Sequence, residues 1–326
     1  MSKCIGCGIK LQTENKESLG YTTDIEKNIC ERCFRIKHYS DYKAVSLNNQ
    51  DYKEIINNIP SSSLIIYVSD ILSLDLKNLP NNKNTILVLT KYDILPKSTK
   101  EEKIINKLKE EYKNLLDIIC ISSLKNYNID KFYKTIMKYH NNKDIYLIGN
   151  TNSGKSTLLN KLIQNYTTDK IQNITVSMYP STTLDKVEVK LNNLTIIDTP
   201  GLIDESNYVN YLSPKDLKRI TPKKEIKPRS CQISGKGSVE IDKLARIDYD
   251  TKETNSFVIY TAPTVSSKFI SYKKNAYKEL VSYNYSLTNN QDIVLPGLGF
   301  VKFTKPINIT IYVPKNIKPF IRNNLI

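Results

Sequence analysis

The sequence is poor in several residues on which other protein classes depend. It has no tryptophan, 10 glycines and two histidines, His38 and His140, among 326 residues. Neither histidine lies near an acid or a nucleophile in the pattern of a catalytic triad, so we assign them no catalytic role. No run of 18 apolar residues occurs and the first residues lack the apolar core of a signal peptide. We therefore expect a cytoplasmic protein with no membrane association.

The segment GNTNSGKST, residues 149–157, has the pattern G-x-x-x-x-G-K-[ST] of a phosphate-binding loop. The strand-like run DIYLIG precedes it, and a helix-like run with Leu158, Leu159 and Leu162 on one face follows. The alternative is a plain Gly/Ser turn, but strand, loop and helix together indicate a nucleotide site. Nucleotide contacts are predicted from Asn150, Thr151, Asn152, Ser153, Gly154, Lys155, Ser156 and Thr157.

Further along the chain, LTIIDTPG resembles a strand that ends in a metal- and phosphate-sensing turn. Asp198 would hold Mg²⁺ through water, and the Gly201 N–H would meet the γ-phosphate. In the intervening YPSTTLD, Thr183 is the candidate switch threonine, with Thr182 as its rival. The predicted catalytic residues are Lys155, Thr183 and Gly201, and the predicted magnesium ligands are Ser156, Thr183 and Asp198.

A guanine-reading N/T-K-x-D motif is absent after the phosphate loop, but TKYD occurs before it, at the end of the apolar run NTILVL. Asp93 can accept hydrogen bonds from guanine N1–H and the N2 amino group, whereas adenine offers neither donor. Lys91 would lie along the base plane, and Thr90 stands where many GTPases have Asn. Ser122 and Ser123, after the run DIICI, would place a backbone N–H near guanine O6. The substrate is therefore predicted to be GTP.

The motifs occur in the order base clamp, serine strand, phosphate loop, switch threonine and DTPG. This order is a circular permutation of the usual GTPase, which is physically feasible because domain termini often lie close together. The predicted fold class is α/β, a P-loop GTPase domain with permuted motif order. An N-terminal zinc-binding module and a C-terminal mixed α+β domain are expected to flank it.

Four of the six cysteines form two C-x₂-C pairs separated by 22 residues. In a reducing compartment this spacing predicts a tetrahedral zinc site at Cys4, Cys7, Cys30 and Cys33. A redox pair is the alternative, although two matched pairs in one short module favour metal. A module of about 45 residues cannot bury much core, so zinc would supply its folding energy.

Positive charge is concentrated in the C-terminal third. Residues 207–326 carry 20 Lys and Arg against 9 Asp and Glu, a net +11, whereas the other 206 residues carry 28 against 24, a net +4. The densest stretches are 213–230 and 268–278, where Tyr272 and Tyr277 could stack on unpaired bases. The alternative is a solvated basic face, but the uneven distribution favours contact with rRNA.

Taken with CIGCG, CERCFRIKHY, KLARIDY and LPGLGFVKF, the motif order resembles the YqeH family of circularly permuted ribosome-assembly GTPases. This resemblance covers nearly the whole chain and implies action on the small (30S) subunit precursor or its 16S rRNA. Leu202 replaces the usual water-orienting Gln, which implies slow intrinsic hydrolysis. Asn152 matches the asparagine with which related GTPases hold potassium, which implies hydrolysis stimulated by K⁺.

The predicted domains are a zinc module at 1–45, a GTPase domain at 46–206 and a basic RNA- or ribosome-contacting domain at 207–326. The protein is expected to be a monomer. Helices are predicted at 98–116, 128–140, 156–164 and near 272–282, and strands at 256–262 and 308–313. Two alternatives remain: a permuted GTPase for large-subunit assembly, and a zinc-dependent RNA-binding protein whose nucleotide site is mainly structural.

Overall fold

The computed structural model of the chain describes residues 2, 4, 10–14, 16, 20–31, 34, 46–47, 49–166, 176–178, 187–191, 193–272 and 279–326. The chain divides into two compact units. The first comprises Met1–Asp70, Asp75–Tyr92 and Leu108–Ile203, and the second comprises Ile71–Leu74, Asp93–Lys107 and Asp204–Ile326. Within the described ranges, no helix is both long and apolar enough to cross a membrane.

In the first unit, a short N-terminal region precedes the main sheet. A 3₁₀ helix, Ile25–Lys27, is capped by the Asp24 side chain, which accepts a hydrogen bond from the Glu26 N–H. Strand β1 (Ser46–Leu47) and helix α1 (Asn49–Asn57) follow. Among the described residues of this region, the buried apolar cluster consists of Cys4, Leu11 and Cys30, with Ile29 packed against it.

Seven strands form the sheet of the first unit, as far as the described residues show. In chain order they are β2 (Leu64–Asp70), β3 (Thr85–Thr90), β4 (Asp117–Cys120), β5 (Ile145–Ile148), β6 (Val176–Met178), β7 (Val187–Leu191) and β8 (Leu194–Asp198). The spatial order is β4-β3-β2-β5-β8-β7-β6. Neighbours from β4 to β8 are parallel, whereas β7 runs antiparallel to β8 and β6. Parallel strands end at one edge of a sheet, and loops at that edge form ligand sites in this kind of fold.

Amphipathic helices complete the layers because their apolar residues recur at helical spacing. Helix α2 spans Glu101–Glu111, α3 spans Ile129–Tyr139 and α4 spans Lys155–Tyr166. Ile129, Phe132 and Ile136 of α3 are fully buried against the sheet. Leu158, Leu159, Leu162 and Ile163 of α4 belong to the same core. The helices predicted at 128–140 and 156–164 are therefore confirmed, and α2 lies inside the range predicted at 98–116.

The second unit consists mainly of antiparallel strands. Strand β9 (Gly201–Leu202) precedes them in the first unit. After helix α5 (Pro214–Ile220), which Ser213 caps, come β10 (Arg229–Ile241), β11 (Ala245–Thr261), β12 (Ser267–Ser271), β13 (Leu280–Leu287), β14 (Gln291–Leu295), β15 (Gly299–Phe303), β16 (Ile307–Pro314) and β17 (Phe320–Asn323). The strands predicted at 256–262 and 308–313 lie in β11 and β16.

The helix predicted near 272–282 is wrong at its C-terminal end. Residues from Leu280 onward form β13, which pairs along its whole length with β16. The sequence LVSYNYSL alternates half-buried and exposed side chains, with a period of two residues instead of 3.6. Cross-strand packing on this pattern favours a strand from Leu280 onward. Residues 273–278 of the predicted helix lie outside the described residues.

The motif KLARIDY has a structural role in the second unit. Arg246 and Asp248 are buried on one face of β11, and the Arg246 Nε donates to Asp248 Oδ1 at 2.6 Å. Ser238 of β10 completes the group by donating to the same carboxylate oxygen at 2.6 Å. Buried charges are tolerated because every partner is satisfied, and removal of one partner costs about 3–5 kcal/mol.

Candidate nucleotide-binding site

The phosphate loop lies between the end of β5 and the start of α4. Gly149 has a φ of 145°, and a Cβ added there would lie 2.2 Å from the Val68 carbonyl oxygen. No side chain fits, so the glycine allows the loop to pass directly over β2. Asn152 has a left-handed backbone with a φ of 61°. These conformations turn the loop around the N-terminus of α4, whose dipole favours an anion.

Lys155 is buried at the first position of α4 and is 4% exposed. Its Nζ donates to the carbonyl oxygens of Gly149 at 2.7 Å and Asn150 at 3.0 Å. Burial lowers the pKa of Lys155 to about 8, and the nearby Asp198 carboxylate opposes this shift. The ammonium group is thus placed under the loop, where a phosphate would restore the charge balance.

Two other polar atoms of the loop are buried in the described structure without a hydrogen-bond partner: Asn150 Oδ1 and Ser153 Oγ. An unsatisfied buried polar atom costs about 1–3 kcal/mol. Native proteins tolerate this cost mainly where a ligand, an ion or water completes the bonding. The observation supports a ligand at the predicted loop residues.

Asp198 lies at the C-terminal end of β8 and is 1% exposed. It pairs in register with Leu147 of β5, two residues before Gly149, so the carboxylate and the phosphate loop share one sheet edge. Ser156, half-buried, is at the second position of α4. A hydroxyl and a carboxylate are hard oxygen donors and fit Mg²⁺. The other predicted ligand, Thr183, and its rival Thr182 lie outside the described residues.

The DTPG segment lies against the phosphate loop. The Thr151 N–H donates to the Leu202 carbonyl at 2.7 Å, and the Leu202 N–H donates to the Gly149 carbonyl at 3.3 Å. A Cβ added at Gly201 would lie 3.0 Å from Lys155 Nζ and 3.1 Å from Thr151 Cα. A side chain at this position would require a shift of a few tenths of an ångström in Thr151 and Lys155, so glycine favours this close approach. On its other side, β9 pairs in parallel with β1 through Ser46–Gly201 and Leu47–Leu202.

Thr90, at the end of β3, contacts the phosphate loop directly. Its hydroxyl donates to the Ser153 carbonyl, and the Ser69 carbonyl of β2 lies within hydrogen-bond distance at 3.3 Å. A Cβ added at Gly154 would lie 3.2–3.3 Å from the Thr90 side chain. Threonine therefore reaches the loop from this position, although it lacks the amide of the usual Asn.

Lys91 forms a second tie to the same loop. Its Nζ contacts the Asp70 carboxylate at the end of β2 and donates to the Asn152 carbonyl at 3.2 Å. Its backbone is left-handed, with a φ of 60°, which costs roughly 1–2 kcal/mol for a residue with a Cβ. Asp93 follows in the 3₁₀ helix Tyr92–Ile94 and is half exposed.

The two serines predicted near guanine O6 differ in their surroundings. Ser122 is fully buried and pairs with Tyr127, since its N–H donates to the Tyr127 carbonyl at 3.1 Å and its carbonyl accepts from the Tyr127 N–H at 2.9 Å. The Ser122 hydroxyl also accepts from the Lys125 N–H at 3.0 Å. Ser122 thus closes a turn, and Ser123, half exposed, is the more accessible of the two.

Comparison with known proteins gives the chain a family. A family model described as 50S ribosome-binding GTPase matches residues 144–226, which include the phosphate loop and DTPG. A protein of Bacillus subtilis, named uncharacterized protein YqeH, is 34% identical over 362 residues and covers 99% of both chains. The chain belongs to the YqeH family.

Other matches cover less of this YqeH family member. The protein named genetic interactor of prohibitins 3, mitochondrial, from Saccharomyces cerevisiae is 32% identical over 176 residues, which are 50% of this chain and 31% of that protein. The crystal structure of YjeQ from Thermotoga maritima matches with a TM-score of 0.27 and 19% identity, over 43% of this chain and 48% of that one.

Sequence reasoning missed Asp70 in this YqeH family member. The signal was present, because Asp70 is the polar residue that ends the apolar strand LIIYVSD. Its significance depends on the register Asp70–Thr90, which places it beside the TKYD motif. That register follows from strand pairing and cannot be read from the order of motifs.

Cys4 and Cys30 are the two predicted zinc ligands within the described residues. Both are 2% exposed, and the Cys30 N–H donates to Cys4 Sγ at 3.2 Å. A backbone N–H directed at sulfur stabilises a thiolate, which is the form that binds zinc. The donor chemistry therefore fits Zn²⁺. Cys7 and Cys33 lie outside the described residues.

Proposed function

We propose that this protein binds and hydrolyses GTP and acts as a nucleotide-gated assembly factor on the small (30S) ribosomal subunit precursor or its 16S rRNA. One observation supports the proposed binding of GTP. Thr90 and Lys91 bond to the carbonyls of Ser153 and Asn152, so the TKYD motif lies beside a phosphate loop that it precedes in the chain. In this arrangement Asp93 would read guanine while the loop holds the phosphates.

The motif order and the sheet support a circularly permuted GTPase domain. Strand β3, which leads into TKYD, is joined through β2 to β5, which leads into the phosphate loop. Strand β8, which leads into DTPG, lies on the other side of β5. Spatial neighbours therefore supply the three motifs even though their order in the chain differs from the usual one.

The chemistry is attack of water on the γ-phosphate. Lys155 would offset charge on the β- and γ-phosphates, and the Gly201 N–H would meet the γ-phosphate. Bound Mg²⁺ would supply further charge neutralisation, held by Ser156, Thr183 and Asp198. Leu202 cannot orient water, so intrinsic hydrolysis is slow. The test is phosphate release with GTP and with ATP, with Lys155→Ala as the inactive control.

Potassium is the proposed substitute for the missing catalytic side chain. Asn152 is exposed at the loop with its carbonyl bonded to Lys91, so its side chain remains at the loop surface. Hydrolysis should be faster in K⁺ than in Na⁺ at equal ionic strength. Equal rates, or an unchanged K⁺ response in Asn152→Ala, would exclude this role.

Zinc is proposed at Cys4, Cys7, Cys30 and Cys33. The buried pair Cys4 and Cys30, with the Cys30 N–H directed at Cys4 Sγ, supports the view that metal stabilises the module. The test is zinc content of the purified protein, with about one equivalent expected. A chelator-treated sample should lose the protease resistance of residues 1–45.

In the basic segment 213–230, we assign rRNA contact to the lysines, because the arginines form contacts within the second unit. Lys215, Lys218, Lys223, Lys224 and Lys227 are exposed. Arg219 pairs with Asp216 at 3.3 Å and with Asp242, and Arg229 donates to Thr261 Oγ1 at 2.6 Å and to the Val265 carbonyl. Phosphate contacts are therefore assigned to the lysines. Of the two tyrosines, Tyr272 lies under Lys236 at 4.2 Å, and Tyr277 is outside the described residues.

A large-subunit role is the second candidate, because the family model matching residues 144–226 is described as a 50S ribosome-binding GTPase. Co-sedimentation of the zinc-loaded protein with separated subunits decides between them, with a GTP analogue or GDP at two salt concentrations. Analogue-dependent binding to the small subunit that survives higher salt supports the proposal. Binding to both subunits without nucleotide dependence indicates a zinc-dependent RNA-binding protein with a structural nucleotide site.

A further inference from the structure

Asp70 lies at the edge of the candidate guanine site without belonging to any of its motifs. It is the last residue of β2 and pairs in register with Thr90 of β3. Its carboxylate contacts the ammonium group of Lys91, and the two side chains are 19% and 36% exposed. The pair is thus partly shielded from water, where a charge-assisted contact retains more of its strength than on an open surface.

Lys91 needs such a partner because of its own flexibility. A lysine stem has four rotatable bonds and loses much of that freedom when it is held along a base. Here the left-handed backbone of Lys91 fixes where the stem begins. The Asp70 carboxylate and the Asn152 carbonyl, at 3.2 Å, fix where the ammonium group ends. With its backbone and its ammonium group both fixed, the methylene groups of Lys91 form a preorganised apolar surface before the nucleotide binds.

The backbone around Asp70 is itself restrained. The next two residues, Ile71 and Leu72, are buried, and their carbonyls accept hydrogen bonds from Arg322 Nη1 at 3.3 and 3.2 Å. On the other side, the Ser69 carbonyl accepts from Thr90 at 3.3 Å. The backbone on both sides of Asp70 is therefore held, which limits how far its carboxylate can follow Lys91 if the lysine moves.

We infer that Asp70 is a positioning residue of the guanine site: it holds Lys91 in the conformation in which the lysine stem packs against the base. This inference rests on the proposed function. Asp70 acts on the base side, away from Lys155 and the γ-phosphate. Loss of the Asp70 carboxylate should therefore lower the affinity for GTP, GDP and GMP by the same factor. Because the lysine stem can pack on any purine, the preference for guanine over adenine should depend on Asp93 and should not change in the Asp70 variant.

The test is a double-mutant cycle in the full-length protein. Binding of fluorescent GDP is measured for the wild type, Asp70→Asn, Lys91→Met and the double variant, with unlabelled GTP, GMP and ADP as competitors. Asp70→Asn should weaken all three guanine nucleotides about tenfold, because hydrogen bonds to charged groups are stronger than neutral ones but this pair is partly exposed. The double variant should bind no more weakly than Lys91→Met.

Asp75→Asn is the matched control. Asp75 also carries a shielded carboxylate, 16% exposed, and it lies 3.9 Å from the ammonium group of Lys77, which belongs neither to TKYD nor to the phosphate loop. This variant should bind GDP like the wild type. Melting temperatures of all variants, and rescue by Asp70→Glu, separate positioning from general destabilisation.

Three results would overturn the inference: unchanged GDP affinity in Asp70→Asn, an undiminished Asp70→Asn effect in the Lys91→Met background, or a loss for GTP much larger than for GMP. A wild-type protein that binds ADP as well as GDP would instead refute the proposed guanine specificity. The two failures are therefore distinguishable in one experiment.

Discussion

Thr90 offers the sharpest test of how the base side of the site is joined to the phosphate loop. The side chain is 3% exposed, and its hydroxyl donates to the Ser153 carbonyl. In Thr90→Val the shape is kept and the hydroxyl is removed, which leaves a buried carbonyl without this donor. The cost of such a loss is about 1–3 kcal/mol. If half of this cost appears in binding, GDP affinity falls about twofold to tenfold.

Thr90→Ser tests the methyl group of the Thr90 side chain separately from its hydroxyl. It keeps the hydroxyl and removes the methyl group near Gly154, which costs about 1 kcal/mol of unfolding free energy. GDP affinity should then stay within about twofold of the wild type. Thr90→Asn, with the residue usual at this position in GTPases, should also bind normally, since its amide can donate to Ser153.

The assay is titration with fluorescent GDP, with urea denaturation of each nucleotide-free variant alongside. Valine places a methyl group where the hydroxyl approached the Ser153 carbonyl, so Thr90→Ala serves as the control without that crowding. Alanine should bind GDP as weakly as valine. If valine and alanine bind like the wild type while serine binds weakly, packing of the methyl group holds the loop and the hydrogen-bond argument is refuted.

Three further outcomes are expected. Without nucleotide, Lys155→Met should raise the unfolding free energy at pH 7 by about 1–2 kcal/mol. Burial lowers the pKa of Lys155 to about 8, which corresponds to a cost of about 3 kcal/mol, and the two hydrogen bonds lost from the Gly149 and Asn150 carbonyls offset part of the gain. The wild type regains stability as pH rises above that pKa, so the difference should shrink by pH 10; a constant difference contradicts this. Cys30→Ser should lose bound zinc, measured by metal analysis, and full retention would exclude Cys30 as a ligand. Arg229→Gln should lower the unfolding free energy by roughly 1–2 kcal/mol, whereas Lys227→Gln should weaken RNA binding with unchanged stability; the reverse pattern would contradict the assignment.

Local patterns were sufficient for the phosphate loop and for two helices of the first unit. The phosphate loop was predictable because its glycines, flanking strand and helix are all encoded within about 20 consecutive residues. The helices α3 and α4 were predictable because their apolar residues repeat at 3.6-residue spacing. In both cases the physical cause lies in neighbouring residues, so the sequence alone contains it.

Features that depend on strand pairing were not predictable. The Asp70 carboxylate reaches Lys91 because β2 and β3 pair in a particular register. The Thr90 hydroxyl donates to the carbonyl of Ser153, which is 63 residues away in the chain. For β13, the strand is set by β16, more than 20 residues later. The separate uses of lysine and arginine in 213–230 also depend on partners such as Thr261 and Asp242. The net charge of this segment does not distinguish its exposed lysines from its paired arginines.

The phosphate loop has two sets of backbone contacts, and they should respond differently to hydrolysis. On the base side, the Ser153 and Asn152 carbonyls are held by Thr90 and Lys91. On the switch side, Thr151 is bonded to Leu202, one residue after the glycine that would meet the γ-phosphate. If the protein hydrolyses GTP as proposed, loss of that phosphate should change contacts on the second side and leave the first unchanged.

We therefore expect GDP to stay bound through the base side while the contacts of β9 change. Strand β9 pairs with β1, which directly follows the predicted zinc module in the chain, and it leads after Ile203 into the second unit. A change at Gly201 and Leu202 can therefore reach the chain on both sides of the GTPase domain through continuous backbone. This is a physical basis for a switch in which base affinity is constant and the flanking segments respond to the γ-phosphate.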